Sequence, residues 1–155
     1  MGGVMHKISE IILSDGVVLD VLGTEKIAAI KELAQILINK NVVINPDEFF
    51  KAILRRENLE STGIGQGVAI PHARTSAVKN IAIVFGRSKA GVDFSSLDGQ
   101  PSHLIFLIAA PEDKKTEYIM TLARLSKLLR KNDARNKLMN IQSPQEVIET
   151  ITQYE

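Results

Sequence analysis

The 155 residues contain no cysteine, which removes disulfide bonds, thiolate metal sites and cysteine nucleophiles together. That suits a reducing compartment, and the chain reads as cytoplasmic. An excess of one charge sign is also missing. Nineteen Lys and Arg stand against eighteen Asp and Glu, a formal +1, so no overall field holds a polyanion by counterion release. Nucleic acid is therefore not an expected partner. Long apolar runs are missing as well: Leu104 to Pro111 falls far short of a membrane span, and Met1 to Lys7 has no stretch of signal-peptide length. No membrane insertion is expected. There are no repeats, low-complexity tracts or linkers, and 155 residues suit one domain with one core, spanning residues 1–155. At 45% hydrophobic and 24% charged, the composition is that of an ordinary folded domain and excludes disorder.

The first 40 residues carry helical signals, clearest where Thr24 caps a run that places Ile27, Ile30, Leu33, Ala34, Leu37 and Ile38 on one face. A second helix starts at Asn45-Pro46, cap and first-turn proline in their favoured order, and turns Phe49, Phe50, Ile53 and Leu54 inward. It ends on the basic pair Arg55-Arg56. The pattern then changes to a glycine-dense loop, Ser61 to Gly67, followed by short apolar runs at Val68 to Ile70, Ile81 to Phe85 and Leu104 to Ala109 that read as strands. A further short strand is placed around Val92 to Phe94, before the turn residues Asp98-Gly99-Gln100-Pro101. Helical period returns from Thr116 to Leu129, with Ile119, Leu122, Leu125 and Leu129 as its buried stripe. Ser143-Pro144-Gln145-Glu146 is a capping box that opens a terminal helix burying Val147, Ile148 and Ile151. The reading is one α/β domain.

Of the three histidines, His6, His72 and His103, no two lie closer than 31 positions, so zinc-site spacing is absent and no metal is implied. His6 reads as a surface residue and His103 as a tolerated edge residue of an apolar strand. His72 differs because it follows Gly63, Gly65 and Gly67, glycines at alternate positions that let bare N–H groups approach an anion. The loop carries neither the dinucleotide glycine pattern, since Val68 stands where a third glycine would, nor a P-loop Lys. A cradle without a nucleotide signature points to a small anion or a transferable phosphoryl group, with Thr62, Gly63, Gly65 and Gly67 as phosphate-binding candidates. Neutral imidazole is a nucleophile near pH 7. The competing reading is a plain loop with His72 exposed on it. Arg55, Arg56 and Arg74 bracket the loop; guanidinium forks match phosphate oxygens, yet arginines at a helix C-terminus also follow from the macrodipole.

Glu57, Ile64-Gly65 and Val68-Ala69-Ile70-Pro71-His72-Ala73 resemble, at the right spacing, the phosphohistidine signature of the fructose/mannitol-type enzyme IIA domains of the bacterial phosphotransferase system. In length the chain also resembles the free-standing nitrogen-related members. The resemblance covers nearly the whole chain and implies a mixed central sheet with helices on both faces. It implies that His72 takes a phosphoryl group from an HPr-type phosphocarrier and passes it to a cysteine of an enzyme IIB domain on a separate chain, in sugar transport, with no cofactor. The alternative it implies is a regulatory, nitrogen-type protein whose phosphorylation controls binding to target proteins. The family arginine sixteen residues before the acceptor falls on Arg56.

One departure stands out. Family members usually carry a second histidine near the start of the helix after the last long strand, and the alignment puts Tyr118 there, with Met120 beside it. A phenol can donate one hydrogen bond to phosphate but does not become cationic near neutral pH. The other reading of Tyr118 is an aromatic packed into the helix stripe.

Overall fold

A computed structural model describes residues 6–155; the leader reading of Met1 to Lys7 lies, for its first five residues, outside them. The backbone runs α1 (Ile8–Ile11), β1 (Ile12–Val18), α2 (Lys26–Asn39), α3 (Pro46–Leu59), β2 (Gly63–Gly65), β3 (Val68–Ala69), β4 (His72–Arg74), β5 (Ala82–Val92), β6 (Ser102–Ala110), α4 (Lys115–Leu129), α5 (Asn132–Asn140) and α6 (Pro144–Tyr154). The strands form one mixed six-stranded sheet in the order β1-β5-β6-β3-β2, with β4 also paired to β6. Strands β1 and β5 are parallel, β5 and β6 antiparallel, and β3 and β4 both run parallel to β6.

Strand alternation divides the core in two. Ala82, Val84, Ile105, Leu107 and Ala109 face the helices α2 and α3, where Ala29, Ile30, Leu33, Phe49 and Ile53 cover them. Their neighbours Ile83, Phe85, Leu104, Phe106 and Ile108 face α4, α5 and α6 through Leu125, Leu138, Val147 and Ile151. The fold is thus the α/β domain, helices on both faces of a mixed sheet, that the sequence implies.

Several elements depart from the sequence reading. The β1 strand lies within the first 40 residues, where the signals read as helical, α5 lies where the sequence places no element, and β5 continues to Val92, absorbing the short strand placed near Val92 to Phe94. Glu25, not Thr24, is the cap residue of α2, and the buried stripe is Ala29, Ile30, Leu33, Ala34 and Leu37, which leaves Ile27 half exposed. In α4 the stripe is Thr121, Leu125, Leu128 and Leu129, so Ile119 lies outside it while Tyr118 packs against its edge. A step of one residue turns a helical side chain by about 100°, enough to exchange an inner for an outer position. The Asn45 and Ser143 caps are as read, each accepting the backbone N–H three residues on.

Arg87 fastens α5 to the sheet. Its buried guanidinium donates through Nη1 to the carbonyls of Leu138 (3.2 Å), Met139 (3.2 Å) and Ile141 (2.7 Å), and through Nε to Leu19 (3.2 Å). The terminal carbonyls of a helix need such partners when water is excluded. Arg87→Met keeps the apolar stem but strands these acceptors, and urea unfolding is expected to show a loss of about 3 kcal/mol.

Candidate active site

The strand that runs beside β6 is interrupted. Pro71 has no N–H to offer a ladder, so pairing stops at Ala69 and resumes at His72, opposite Ile108. Ala73 points into the α2/α3 core, which sends His72 and Arg74 to the opposite face, toward α4. His72 is not exposed on a loop: only 6% of it is accessible.

Its Nδ1 lies 2.6 Å from the Ile70 carbonyl. A carbonyl only accepts, so Nδ1 carries the proton and Nε2 keeps its lone pair in the neutral ring. Burial lowers the pKa of His72 below its usual 6.5, and the Arg56 charge adds to that; the Ile70 bond and the Glu57 carboxylate pull the other way. The ring is therefore neutral and nucleophilic near pH 7.

Tyr118, in the first turn of α4, sits over this ring with centroids 5.7 Å apart and planes tilted by 56°. Its ring also packs on the α4-side core, as the second reading of Tyr118 has it. Burial pushes its pKa up to about 12, against the opposing charges of Arg56 and Arg74, so the hydroxyl keeps its proton as a neutral donor.

Arg56 is half-buried at the last turn of α3 and Arg55 is exposed, so the turn of the helix selects Arg56 for the site. Its Nη1 donates to the Glu60 carbonyl at 2.7 Å. The next residue, Glu57, is 5% accessible and forms a buried cluster. Its carboxylate accepts the Thr62 N–H (2.9 Å) and the Thr62 hydroxyl (2.6 Å), and pairs with Lys26 Nζ at 3.2 Å. This cluster clamps the end of α3 to the strand entering the site. Glu57 was part of the motif but had no role assigned, and Lys26 was missed altogether. The usable signal was the series Phe49, Ile53, Glu57: a carboxylate at four-residue spacing on an apolar stripe must have buried partners.

The glycine segment forms a hairpin and not a row of free amides. β2 pairs antiparallel with β3, and the turn between them has positive φ at Gln66 (55°) and Gly67 (78°), the geometry of a tight two-residue hairpin turn, with Gly65 also at 90°. The Thr62 N–H is committed to Glu57 and the Gly63 N–H to Ser61 Oγ at 3.0 Å. His103 is likewise not at an edge, since β6 is paired on both sides; its Nδ1 donates to the Ser88 carbonyl at 2.8 Å. His6 is exposed, as read. Among the described residues no group of three or more His, Asp or Glu is placed to hold a metal, and no helix is long and apolar enough to cross a membrane.

A buried histidine with one ring nitrogen tied back and an arginine charge acting on it is the centre of this site. Residues 10–154 match the family described as phosphoenolpyruvate-dependent sugar phosphotransferase system, EIIA 2, and the chain belongs to it. It is 42% identical over 149 residues to the fructose-specific EIIABC component of the phosphotransferase system of Bacillus subtilis, covering 96% of this chain and 24% of that protein. The chain thus spans about a quarter of that relative. It is similar in structure to the nitrogen regulatory protein IIA-Ntr of Neisseria meningitidis, at 33% identity and a TM-score of 0.86, covering 93% of this chain and 98% of that one. It is also similar to the mannitol enzyme IIA of Escherichia coli, solved in complex with phosphorylated enzyme IIB, at 25% identity and a TM-score of 0.78 over 90% and 95% of the two chains.

Because the folded protein holds His72 neutral below the usual imidazole pKa, the unfolded chain binds the extra proton as the pH falls through 6.5. Stability is then lost on acidification. Urea unfolding at pH 7.5 and 5.5 is expected to show a larger loss for the wild type than for His72→Gln, which lacks this titration.

Proposed function

We propose that His72 accepts a phosphoryl group at Nε2 from the phosphohistidine of an HPr-type carrier and releases it to an enzyme IIB cysteine. The observation that carries the reading is the 2.6 Å contact of Nδ1 with the Ile70 carbonyl, which leaves Nε2 as the free nucleophile beside the Arg56 charge. In the first transfer the Nε2 lone pair attacks phosphorus in line, and the donor's P–N bond breaks with its electron pair returning to the donor nitrogen. In the second, a thiolate attacks, the P–Nε2 bond breaks, and the pair returns to His72. The accepting cysteine lies outside these 155 residues, which contain none.

Arg56 offers its fork to the equatorial oxygens and the Tyr118 hydroxyl adds one neutral donor. Thr62, held by Glu57, orders the segment that leads toward the site, whereas Gly65 and Gly67 do not serve as its phosphate cradle, because Gly67 stands at the His103 and Leu104 end of β6 while His72 lies opposite Ile108. Residues 1–155 make up the enzyme IIA domain. Support for an enzyme IIB partner comes from the Escherichia coli mannitol protein, solved with its phosphorylated enzyme IIB. A regulatory reading is favoured by a separate observation, that the match to IIA-Ntr of Neisseria meningitidis extends over 98% of that chain. In it, phospho-His72 persists and alters binding to a target protein. Discharge of phospho-His72 by an enzyme IIB cysteine separates the two.

Incubation with phosphoenolpyruvate, enzyme I and HPr is expected to add one acid-labile phosphoryl group, seen by intact mass, and His72→Ala to abolish it. Label that moves to His6 or His103 overturns the assignment. Arg56→Lys keeps the charge and loses the fork, so rapid-quench labelling should slow several-fold at an unchanged melting temperature, while Arg55→Lys should label like the wild type.

A further inference from the structure

A phosphoryl group on His72 brings close to two negative charges into a half-buried site. The Tyr118 hydroxyl stays protonated and adds none of the opposite sign. Arg56 supplies one positive charge, and Glu57 beside it is a carboxylate already matched to Lys26. Apart from Arg56, the groups described above set no side-chain cation against the phosphoryl oxygens, and a second would strengthen their hold.

Arg74 is placed to supply it. It lies two residues beyond His72 on β4, so both side chains leave the strand on the α4 face. Its Nη1 donates to the carbonyl of Glu112, in the turn just before α4, and this holds the guanidinium at the end of the helix that carries Tyr118. Among the described residues Arg74 has no carboxylate partner, and its Nε and Nη2 donors have no hydrogen bond. The two arginines differ in what they act on. The Arg56 charge acts on both the imidazole and the phenol, and that of Arg74 on the phenol. With Nδ1 turned inward to Ile70, Nε2 faces away from that carbonyl, on the side a phosphoryl group would occupy.

We infer that Arg74 is a second phosphoryl-binding residue, which grips the oxygens of the group on His72 from β4 while Arg56 grips them from α3. The inference rests on His72 being the acceptor. Arg74 forms no bond to phosphorus and moves no proton; its free N–H groups donate to phosphoryl oxygens, with Nη1 kept on Glu112 as the brace.

The test labels the wild type, Arg74→Gln and Arg74→Lys with phospho-HPr and, separately, with phosphoramidate as a small donor that needs no docking. Arg74→Gln is expected to slow labelling about ten-fold with both donors, with Arg74→Lys recovering part of the rate. The readout that a merely structural role would leave alone is 31P NMR of the phosphorylated protein. Losing a cation beside the phosphoryl group should raise the pH at which the phosphohistidine takes up a proton, in Arg74→Gln relative to the wild type. An unchanged labelling rate, or an unmoved 31P titration, overturns the role of Arg74 and leaves His72 as the acceptor. A wild type that neither donor labels at His72 overturns the acceptor reading and the role of Arg74 with it.

Discussion

The hydrogen bond between His72 Nδ1 and the Ile70 carbonyl is the contact on which the site depends. It fixes three things at once: the tautomer, the plane of the ring and the nitrogen that faces the partner. The bond exists because Pro71 breaks the strand beside β6, which turns the Ile70 carbonyl away from the ladder and toward the ring two residues on. A continuous strand would have taken that carbonyl into the sheet and left the imidazole free to choose either tautomer. Desolvation then keeps the held ring neutral.

Toward that ring the fold brings groups that are distant in sequence, Arg56 from the last turn of α3 and Tyr118 from the first turn of α4, while Arg74 follows two residues later on β4 itself. The Glu57, Lys26 and Thr62 cluster is what makes the first of these placements rigid, because it ties three separate elements through one buried carboxylate. Buried charges are tolerated only when paired and hydrogen-bonded, and this one is both. The same carboxylate acts on His72, raising its basicity against the effect of burial. A single residue thus sets both the position of the loop and part of the field at the nucleophile.

The family holds proteins named for fructose and mannitol systems and proteins named for nitrogen regulation on one common sheet. The 42% identity to a fructose-specific component and the near full-length likeness to a nitrogen regulatory protein reflect that shared core. In the function proposed for His72, a rigid acceptor with a pre-set tautomer serves either role, since it needs no rearrangement of its own to receive the group.

Much of this was legible in the sequence. The motif ending at Pro71-His72, the Asn45-Pro46 and Ser143 caps and the apolar runs of β5 and β6 all report local physics, and local physics is written in neighbouring residues. Arg56 is set apart from Arg55 in the sequence by the family resemblance alone, and the structure adds that Arg56 is half-buried and Arg55 exposed. What could not be read locally was where the N–H groups of the glycine segment go, that His103 lies inside the sheet, and that Ile119 faces outward. The first two depend on which strand pairs with which, a matter of contacts tens of residues apart, and the third on which face of α4 the sheet takes. The sequence by itself determined the class of fold and singled out the His72 imidazole. Only the tertiary structure decided which ring nitrogen is free and which cations stand beside it, because those follow from one carbonyl's direction and from the packing of three elements around it.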